Sequence, residues 1–230
     1  DSAGNSVEVI DTTSDGAGDF SQDTASLADG GYTVTVTATD AAGNTSTASS
    51  PFIVDTTAPV VSLAPLGPTN DDTPAISGTT EANSLVEIVI RDANGNAVET
   101  LSTTSDASGN FSIDAAALAD GTYSIDVNAT DAAGNTGGAN FPGLIIDTSA
   151  PPLSAMTDAL TDDNTPNVNG STEAGASVTI EILDGAGNTV QSFPAMVDGA
   201  GAFGVDAMML AGGSYTVRVT SQDAAGNETS

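Results

Sequence analysis

The chain has 230 residues, and 31 Asp and Glu against two Lys and Arg give it a formal net charge of −29. Such a chain cannot neutralise phosphates, which excludes nucleic acid as a partner and disfavours anionic membrane surfaces. Histidine and cysteine are both absent, which excludes the usual catalytic triads, thiol nucleophiles and disulfides.

The apolar residues, 39% of the chain, are strictly patterned, which predicts small, thin cores and argues against disorder. No apolar run is long enough to span a bilayer, so we expect no direct membrane insertion. A chain of this charge repels itself unless cations gather around it, which favours metal ions or high salt.

One unit of strand and acidic turn occurs three times along the chain. The five residues Asp-Ala-Ala-Gly-Asn recur at 40–44, 131–135 and 223–227. Each copy follows an alternating run that begins at a tyrosine, namely Tyr32, Tyr123 or Tyr215. The period is 91 and then 92 residues, which with these β signals indicates a tandem array of sandwich domains.

The first copy, residues 1–57, corresponds to the later two thirds of a repeat. Residues 1–5 match 92–96 of the next copy, and the run after Tyr32 matches the run after Tyr123. The first three strands of a repeat have no counterpart here. We therefore expect this truncated copy to be stable only where neighbouring chain completes it.

The second copy, residues 58–149, is the complete repeat. Apolar alternation between turn signals predicts seven short strands: 60–64, 75–80, 85–91, 98–103, one from Phe111, one from Tyr123 to Thr130, and 140–146. Residues 118–123 resemble the tyrosine corner of immunoglobulin-like sandwiches, in which the phenol binds back to the preceding loop. The predicted fold is all-β, with tandem immunoglobulin-like, seven-stranded Greek-key sandwiches arranged end to end.

The third copy, residues 150–230, runs from the first strand to the acidic turn and lacks its last strand. Two short linkers, 55–59 and 147–152, join the copies and carry proline, which favours extended backbone. The neighbouring repeats of the same chain are thus the predicted partners, in an extended, monomeric rod.

The order of the strands sorts the acidic loops between the two ends of each sandwich. At one end of the middle repeat it gathers, beside linker residue Asp55, the side chains of Glu81, Asp106, Asp131 and Asn135. The opposite end collects Asp71, Asp72, Asp92 and Asp120. That end faces, around linker residue Asp147, the next repeat's Glu173, Asp198 and Asp223. Each junction is therefore predicted to be a carboxylate cluster without Lys, Arg or His.

Clustered carboxylates repel one another unless they are protonated or bridged by a cation. Ligand sets made only of oxygen suit Ca2+, which takes about 6 to 8 oxygens in flexible geometry. A calcium ion that joins Asp55 or Asp147 to loops on both sides would stiffen the linker. The alternative is that Asp, Asn and Gly stand in these loops only because turns favour them.

Five segments of the chain together resemble a known family. DTTAP at 55–59, NDDTP at 70–74, GTTEA at 78–82, LADGTY at 118–123 and TDAAGNT at 130–136 resemble, in this order, the bacterial immunoglobulin-like repeats of giant adhesins. That family includes repeats of RTX adhesins and biofilm-associated proteins. The resemblance implies extracellular extender modules on the bacterial cell surface that bind calcium at their junctions. It implies Asp55, Glu81 and Asp131 as ligands at the first junction and Asp147, Glu173 and Asp223 at the second.

The third copy departs from the family pattern at two positions. Gly212 stands in place of Asp120, and Ala202 stands in place of Asn110. These two positions are therefore not expected to be ligands in every repeat.

The leading interpretation is a structural spacer that supports adhesion and biofilm formation and is stiffened by Ca2+. The alternative is an adhesive module that recognises a glycan, ice or another cell through a threonine-rich strand face, Thr33, Thr35, Thr37 and Thr39. Such a row is also what a solvated face of good β-formers contains. An enzyme is not predicted, because hydrolysis of glycosides by paired acids needs a carboxyl of raised pKa in a cleft, whereas these acids recur in turns of every repeat.

Overall fold

The computed structural model describes residues 1–158 and 160–230, and their regular structure is entirely β. The first copy holds β1 Gly30–Thr39 and β2 Thr45–Val54. The second holds β3 Ser62–Leu63, β4 Pro68–Thr69, β5 Ala75–Thr79, β6 Leu85–Arg91, β7 Ala97–Thr104, β8 Asn110–Asp114, β9 Gly121–Thr130 and β10 Thr136–Ile146. The third holds β11 Ser154–Met156, β12 Asn167–Ser171, β13 Ser177–Leu183, β14 Thr189–Ala195, β15 Ala202–Asp206, β16 Thr216–Gln222 and β17 Glu228–Thr229. Within residues 1–158 and 160–230 there is no helix long and apolar enough to cross a membrane.

The middle copy is a two-layer sandwich. One sheet has the order β3-β5-β8 and the other β4-β10-β9-β6-β7. Strands β4 and β10 pair in parallel, whereas the other neighbours are antiparallel. Alternate residues of the strands point between the layers, where Ile76, Ile88, Ile125 and Leu144 are fully buried. This arrangement confirms the predicted all-β, immunoglobulin-like fold.

The strand bounds agree best with the prediction where the apolar alternation is complete. Strand β6 spans 85–91 as predicted, with Val86, Ile88 and Ile90 fully buried. Strand β10 begins at Thr136, four residues before its predicted start, and β4 lies inside a predicted loop. The early part of β10 contains Gly137, where an added Cβ would stand 1.9 Å from the Pro59 carbonyl oxygen. The strand therefore needs glycine where it passes the linker, and glycine hides the alternation from the sequence.

The third copy repeats the same two layers with a shortened edge. Its sheets have the orders β11-β12-β15 and β14-β13-β16-β17. Val168, Ile180, Phe203 and Val219 form the centre of its core. The strand predicted to be missing is represented by β17, which pairs with the end of β16. Its Thr229 hydroxyl donates a hydrogen bond of 2.8 Å to the Pro151 carbonyl of the linker.

In the first copy, the described residues 1–57 form only the hairpin β1–β2. Residues 6–13 and 19–23 correspond to β7 and β8 but form no strand. In the middle copy β7 pairs with β6 and β8 pairs with β5, and residues 1–57 contain no counterpart of β5 or β6. Large apolar side chains such as Phe20 and Ile53 are consequently exposed.

The predicted tyrosine corner is confirmed in the middle copy and recurs in the others. The Tyr123 hydroxyl donates to the Ala119 carbonyl at 2.8 Å. Tyr32 donates to Ala28 at 2.9 Å, and Tyr215 donates to a carbonyl four residues before it at 3.1 Å. Each corner fixes the loop that directly precedes the strand leading to the acidic turn.

Candidate metal centre at the repeat junction

A tight turn holds Asp131 at the end of β9. The Asp131 Oδ1 atom accepts hydrogen bonds from the backbone N–H groups of Ala133 at 2.8 Å and Asn135 at 2.9 Å. The turn closes through Gly134, whose φ of 95° lies in the left-handed region that favours glycine. The Asp-x-x-Gly-Asn pattern thus specifies the position of one carboxylate at the end of the sandwich beside linker residue Asp55.

The side chain of Asn135 connects this turn to the linker. Its Nδ2 donates to Asp131 Oδ2 at 2.9 Å and also to the backbone carbonyl of Asp55 at 3.0 Å. An amide nitrogen has two protons, and both are used here. Asn135, predicted as a metal ligand, can therefore offer only its side-chain oxygen to a cation.

Three carboxylates meet at this point. Ligand oxygens of Asp55, Glu81 and Asp131 lie within 4.8 Å of one another, and Asp131 is buried, Asp55 half-buried and Glu81 exposed. Glu81 reaches the group from the loop after β5. The backbone carbonyl of Glu81 accepts a hydrogen bond from the buried Ser105 hydroxyl, which fixes this loop. Oxygens that share one Ca2+ lie about 2.3 to 2.6 Å from it and hence at most about 5 Å apart. The separation of this donor set therefore fits a single ion.

The charge at this cluster is not balanced by basic residues. Hydrogen bonds from the Asn135 side chain and from backbone N–H groups outweigh burial and hold the pKa of Asp131 below its ordinary 3.8, so it is charged at neutral pH. The chain's two basic residues pair elsewhere, Arg91 with Asp126 at 2.7 Å and Arg218 with Glu181 at 3.3 Å. Neutralising this cluster therefore needs a cation from solution.

Asp106, predicted at the same end, lies outside the cluster. Its Oδ1 accepts the backbone N–H groups of Ser108 at 2.8 Å and Asn110 at 2.9 Å, so the carboxylate closes its own turn. These hydrogen bonds also hold its pKa below the ordinary value.

The acidic residues at the opposite end are likewise used locally. Asp71 Oδ1 accepts the backbone N–H and hydroxyl of Thr73, both at 2.9 Å. Asp72 accepts a hydrogen bond from Leu118 through its backbone carbonyl. Asp92 closes the β6–β7 turn with the same bonds that Asp131 makes in its turn. The described residues bring none of these three into a group of three acidic ligands.

The second junction has the same scaffold as the first. The Asn227 amide donates to Asp223 Oδ2 at 2.8 Å and to the Asp147 backbone carbonyl at 2.7 Å. Burial raises the pKa of Asp223, but hydrogen bonds from Asn227 and the turn backbone together hold it below 3.8. Among the described residues the compact three-carboxylate group is that of the first junction, and Glu173 completes no such group with Asp147 and Asp223.

Two residues that hold the linkers were not predicted to do so. Asp29 accepts hydrogen bonds from Thr56 and Thr57 in the first linker, and Asp120 accepts them from Thr148 and Ser149 in the second. The sequence signal was the Leu-Ala-Asp-Gly segment before the tyrosine, at 27–30 and 118–121. The segment at 118–123 is predicted as a tyrosine corner and Asp120 as a member of the acidic cluster around Asp147, but neither prediction includes hydrogen bonds to the linker.

The threonine row of the first copy forms a ladder with the facing strand. The hydroxyls of Thr35 and Ser49 lie 3.0 Å apart, and those of Thr37 and Thr47 lie 3.4 Å apart. In the middle copy the equivalent positions include Asp126, so the row does not recur. The hydroxyls of Thr35 and Thr37 bond to hydroxyls of the facing strand, as side chains of paired strands do.

Comparison with known proteins identifies related sequences and structures. The family model described as a bacterial Ig-like domain matches residues 2–56, 67–148 and 154–230. No curated protein is significantly similar in sequence. A crystal structure of a tetra-tandem repeat in the extending region of a large adhesion protein is 29% identical, covers 88% of this chain and has a TM-score of 0.40. This chain covers 55% of that structure.

Two further structures are similar to the chain. A structure of a 1.5-MDa bacterial ice-binding adhesin is 25% identical, with coverage of 88% of this chain and 72% of that one and a TM-score of 0.38. The BSP domain of a biofilm-associated protein is 21% identical, with coverage of 74% and 27% and a TM-score of 0.26.

Proposed function

The chain belongs to the bacterial Ig-like domain family, and on this premise we propose that it is an extender segment of a bacterial surface adhesin. The resemblance to the extending region of a large adhesion protein supports this role. The proposed location is extracellular, at the bacterial cell surface. The repeats of the chain would act as spacers in a monomeric rod, and each would have its neighbours in the chain as partners. We propose their bounds as 1–57, 58–149 and 150–230.

We further propose that Ca2+ binds at the junctions and stiffens them. The observation that carries this proposal is the cluster of Asp55, Glu81 and Asp131, in which a linker residue and two loops of the next repeat lie within 4.8 Å. A bound Ca2+ would offset the repulsion between these carboxylates by coordinating their oxygens. Bending the linker would then separate Asp55 from the other ligands, so the ion would resist bending.

The proposed ligands are fewer than the acidic residues at the two ends. Asp55, Glu81 and Asp131, with the side-chain oxygen of Asn135, would hold the ion at the first junction. Asp147, Glu173 and Asp223 would hold one at the second, where Glu173 would have to approach the other two. Asp71, Asp72, Asp92 and Asp106 lie outside the three-carboxylate group, and no such role is proposed for them.

A calcium titration of the full chain tests this proposal. Isothermal calorimetry on wild type should detect binding, and Asp131→Asn should abolish binding at the first junction. Asp92→Asn is the matched control, because Asp92 makes the same three turn hydrogen bonds but lies outside the three-carboxylate group. Small-angle scattering in calcium and in EDTA then reads the stiffness. The proposal fails if wild type binds no calcium or if Asp92→Asn weakens binding as much as Asp131→Asn.

A further inference from the structure

The first linker is held by hydrogen bonds from the repeats on both of its sides. From the preceding repeat, Asp29 Oδ1 accepts the backbone N–H of Thr56 at 2.9 Å and its hydroxyl at 2.7 Å. Asp29 Oδ2 accepts the hydroxyl of Thr57 at 2.6 Å. From the following repeat, the Asn135 amide donates to the Asp55 carbonyl at 3.0 Å. Three consecutive linker residues are thus fixed.

The second linker is held in the same way by a separate set of residues. Asp120 accepts the backbone N–H of Thr148 at 2.9 Å, its hydroxyl at 2.8 Å and the hydroxyl of Ser149 at 2.8 Å. The Asn227 amide donates to the Asp147 carbonyl at 2.7 Å. Because two junctions with different neighbours share this arrangement, it is a property of the repeat.

One further hydrogen bond joins the second and third repeats directly. The backbone N–H of Asn70, in the loop between β4 and β5, donates to the Ala225 carbonyl at 3.1 Å. Ala225 belongs to the same acidic turn that presents Asn227 to the linker. The turn therefore contacts both the linker and the body of the preceding repeat.

None of these contacts uses a carboxylate oxygen whose charge must be balanced by a cation before the contact can form. Asp29 and Asp120 each accept three hydrogen bonds, and the asparagine contacts are between neutral groups. Donors to a carboxylate favour its charged form and require no counter-ion. The contacts can therefore form at neutral pH in the absence of any divalent cation.

We propose that a set of hydrogen bonds independent of metal, here called the strap, sets the geometry of each junction. In the strap, Asp29 or Asp120 holds the linker from the preceding repeat, and Asn135 or Asn227 holds it from the following repeat. All four act as positioning residues through these contacts, and Asn135 is in addition a proposed ligand through its side-chain oxygen. Where the strap also places Asp55 and Asp147 for a cation, the inference rests on the proposed function. The strap itself does not depend on calcium.

Distance measurement between spin labels tests the strap on the full chain. The chain has no cysteine, so Ser102→Cys in the second repeat and Ser192→Cys in the third, both exposed, give two specific label sites. Asn227→Ala removes the linker contact together with one bond inside the turn. Asn188→Ala is the matched control, since its amide donates to Asp184 in an equivalent turn without a linker contact. Asp120→Ala removes the strap from the other side.

In EDTA, wild type and Asn188→Ala should give the same narrow distance distribution. Asn227→Ala and Asp120→Ala should each broaden it while thermal unfolding shows that both repeats remain folded. Calcium should narrow the wild-type distribution further if the proposed function is correct. The strap is refuted if wild type in EDTA is as broad as Asn227→Ala, or if Asn188→Ala broadens the distribution equally. Absence of any calcium effect would overturn the proposed calcium site at the second junction and leave the strap intact.

The first junction adds a test in which calcium affinity is the readout. Asn135→Ala releases the Asp55 carbonyl and Asp131 Oδ2 and also removes the proposed oxygen ligand of Asn135, so it should weaken calcium binding by at least about fivefold. Asn96→Ala loses the corresponding bond to Asp92 in a turn that no linker contacts, and it should leave the affinity unchanged. Equal affinities for Asn135→Ala and wild type would refute the positioning role.

Discussion

Replacing Glu81 by glutamine should change stability in opposite directions with and without calcium. A pair of unit charges 4.8 Å apart, the limit of separation in the cluster, repels by about 0.9 kcal/mol at the dielectric constant of water. Glu81 has two such neighbours, and screening at physiological ionic strength leaves about 1 kcal/mol in total. Without calcium, Glu81→Gln should therefore raise the melting temperature of the middle repeat by about 4 to 8 °C.

In calcium the same substitution should be destabilising. A ligand at 100 times its Kd stabilises the folded state by about 2.7 kcal/mol, and a variant with about 100-fold weaker binding would gain only about 0.4 kcal/mol. After the relief of repulsion is included, Glu81→Gln should be about 1 kcal/mol less stable than wild type. Differential scanning calorimetry in EDTA and in calcium measures both values.

The matched control for this prediction is Glu87→Gln. Glu87 is an exposed glutamate of β6 in the same repeat and lies outside the cluster. Its substitution should shift both melting temperatures little and in the same direction. If Glu81→Gln behaves like Glu87→Gln, the carboxylates at the junction neither repel one another nor share an ion.

Three further predictions concern the core, a turn and the linker. Ile88→Ala removes a fully buried side chain and should cost about 2 to 5 kcal/mol in urea unfolding of the middle repeat. Gly109→Ala should destabilise it clearly more than Gly95→Ala, because both glycines have φ near +84° but only at Gly109 would a Cβ meet a carbonyl, that of Thr80 at 2.2 Å; equal costs would contradict the clash. Hydrogen bonds from Thr148 lower the pKa of Asp120 below 3.8. The stability that Asp120 contributes to the linker contact is therefore present above pH 3.8 and is lost as the pH falls through the lowered pKa. The distance distribution between the labels at 102 and 192 should broaden as acid is added, and Asp120→Asn should abolish this pH dependence.

The alternation of apolar residues was sufficient to predict the strands that frame the site. Val86, Ile88 and Ile90 identify β6 because each inward position is apolar. The start of β10 was missed, since Gly137 stands there to let the strand pass the linker and carries no side chain to mark a face. In the first copy, the residues equivalent to β7 and β8 have sequence signals but no partner strands, and strand formation depends on partners.

The candidate site was predicted in part for a similar reason. Strand order alone placed Asp55, Glu81 and Asp131 at one end, and the structure brings them together. The same reasoning also placed Asp106 at that end and Asp92 at the opposite end, and both share the Asp-x-x-Gly-Asn pattern of Asp131. What separates them is whether a linker lies beside the turn, and that is a tertiary feature.

The crossing of the last strand over the linker differs between the two junctions, and this limits how repeats can be recombined. At the first, Gly137 leaves room for the Pro59 carbonyl, whereas at the second Thr229 donates a hydrogen bond to the equivalent carbonyl of Pro151. A threonine grafted at 137 would displace the linker unless the entering segment moved with it. The unit that can be transferred between such chains is therefore a sandwich together with the linker that precedes it.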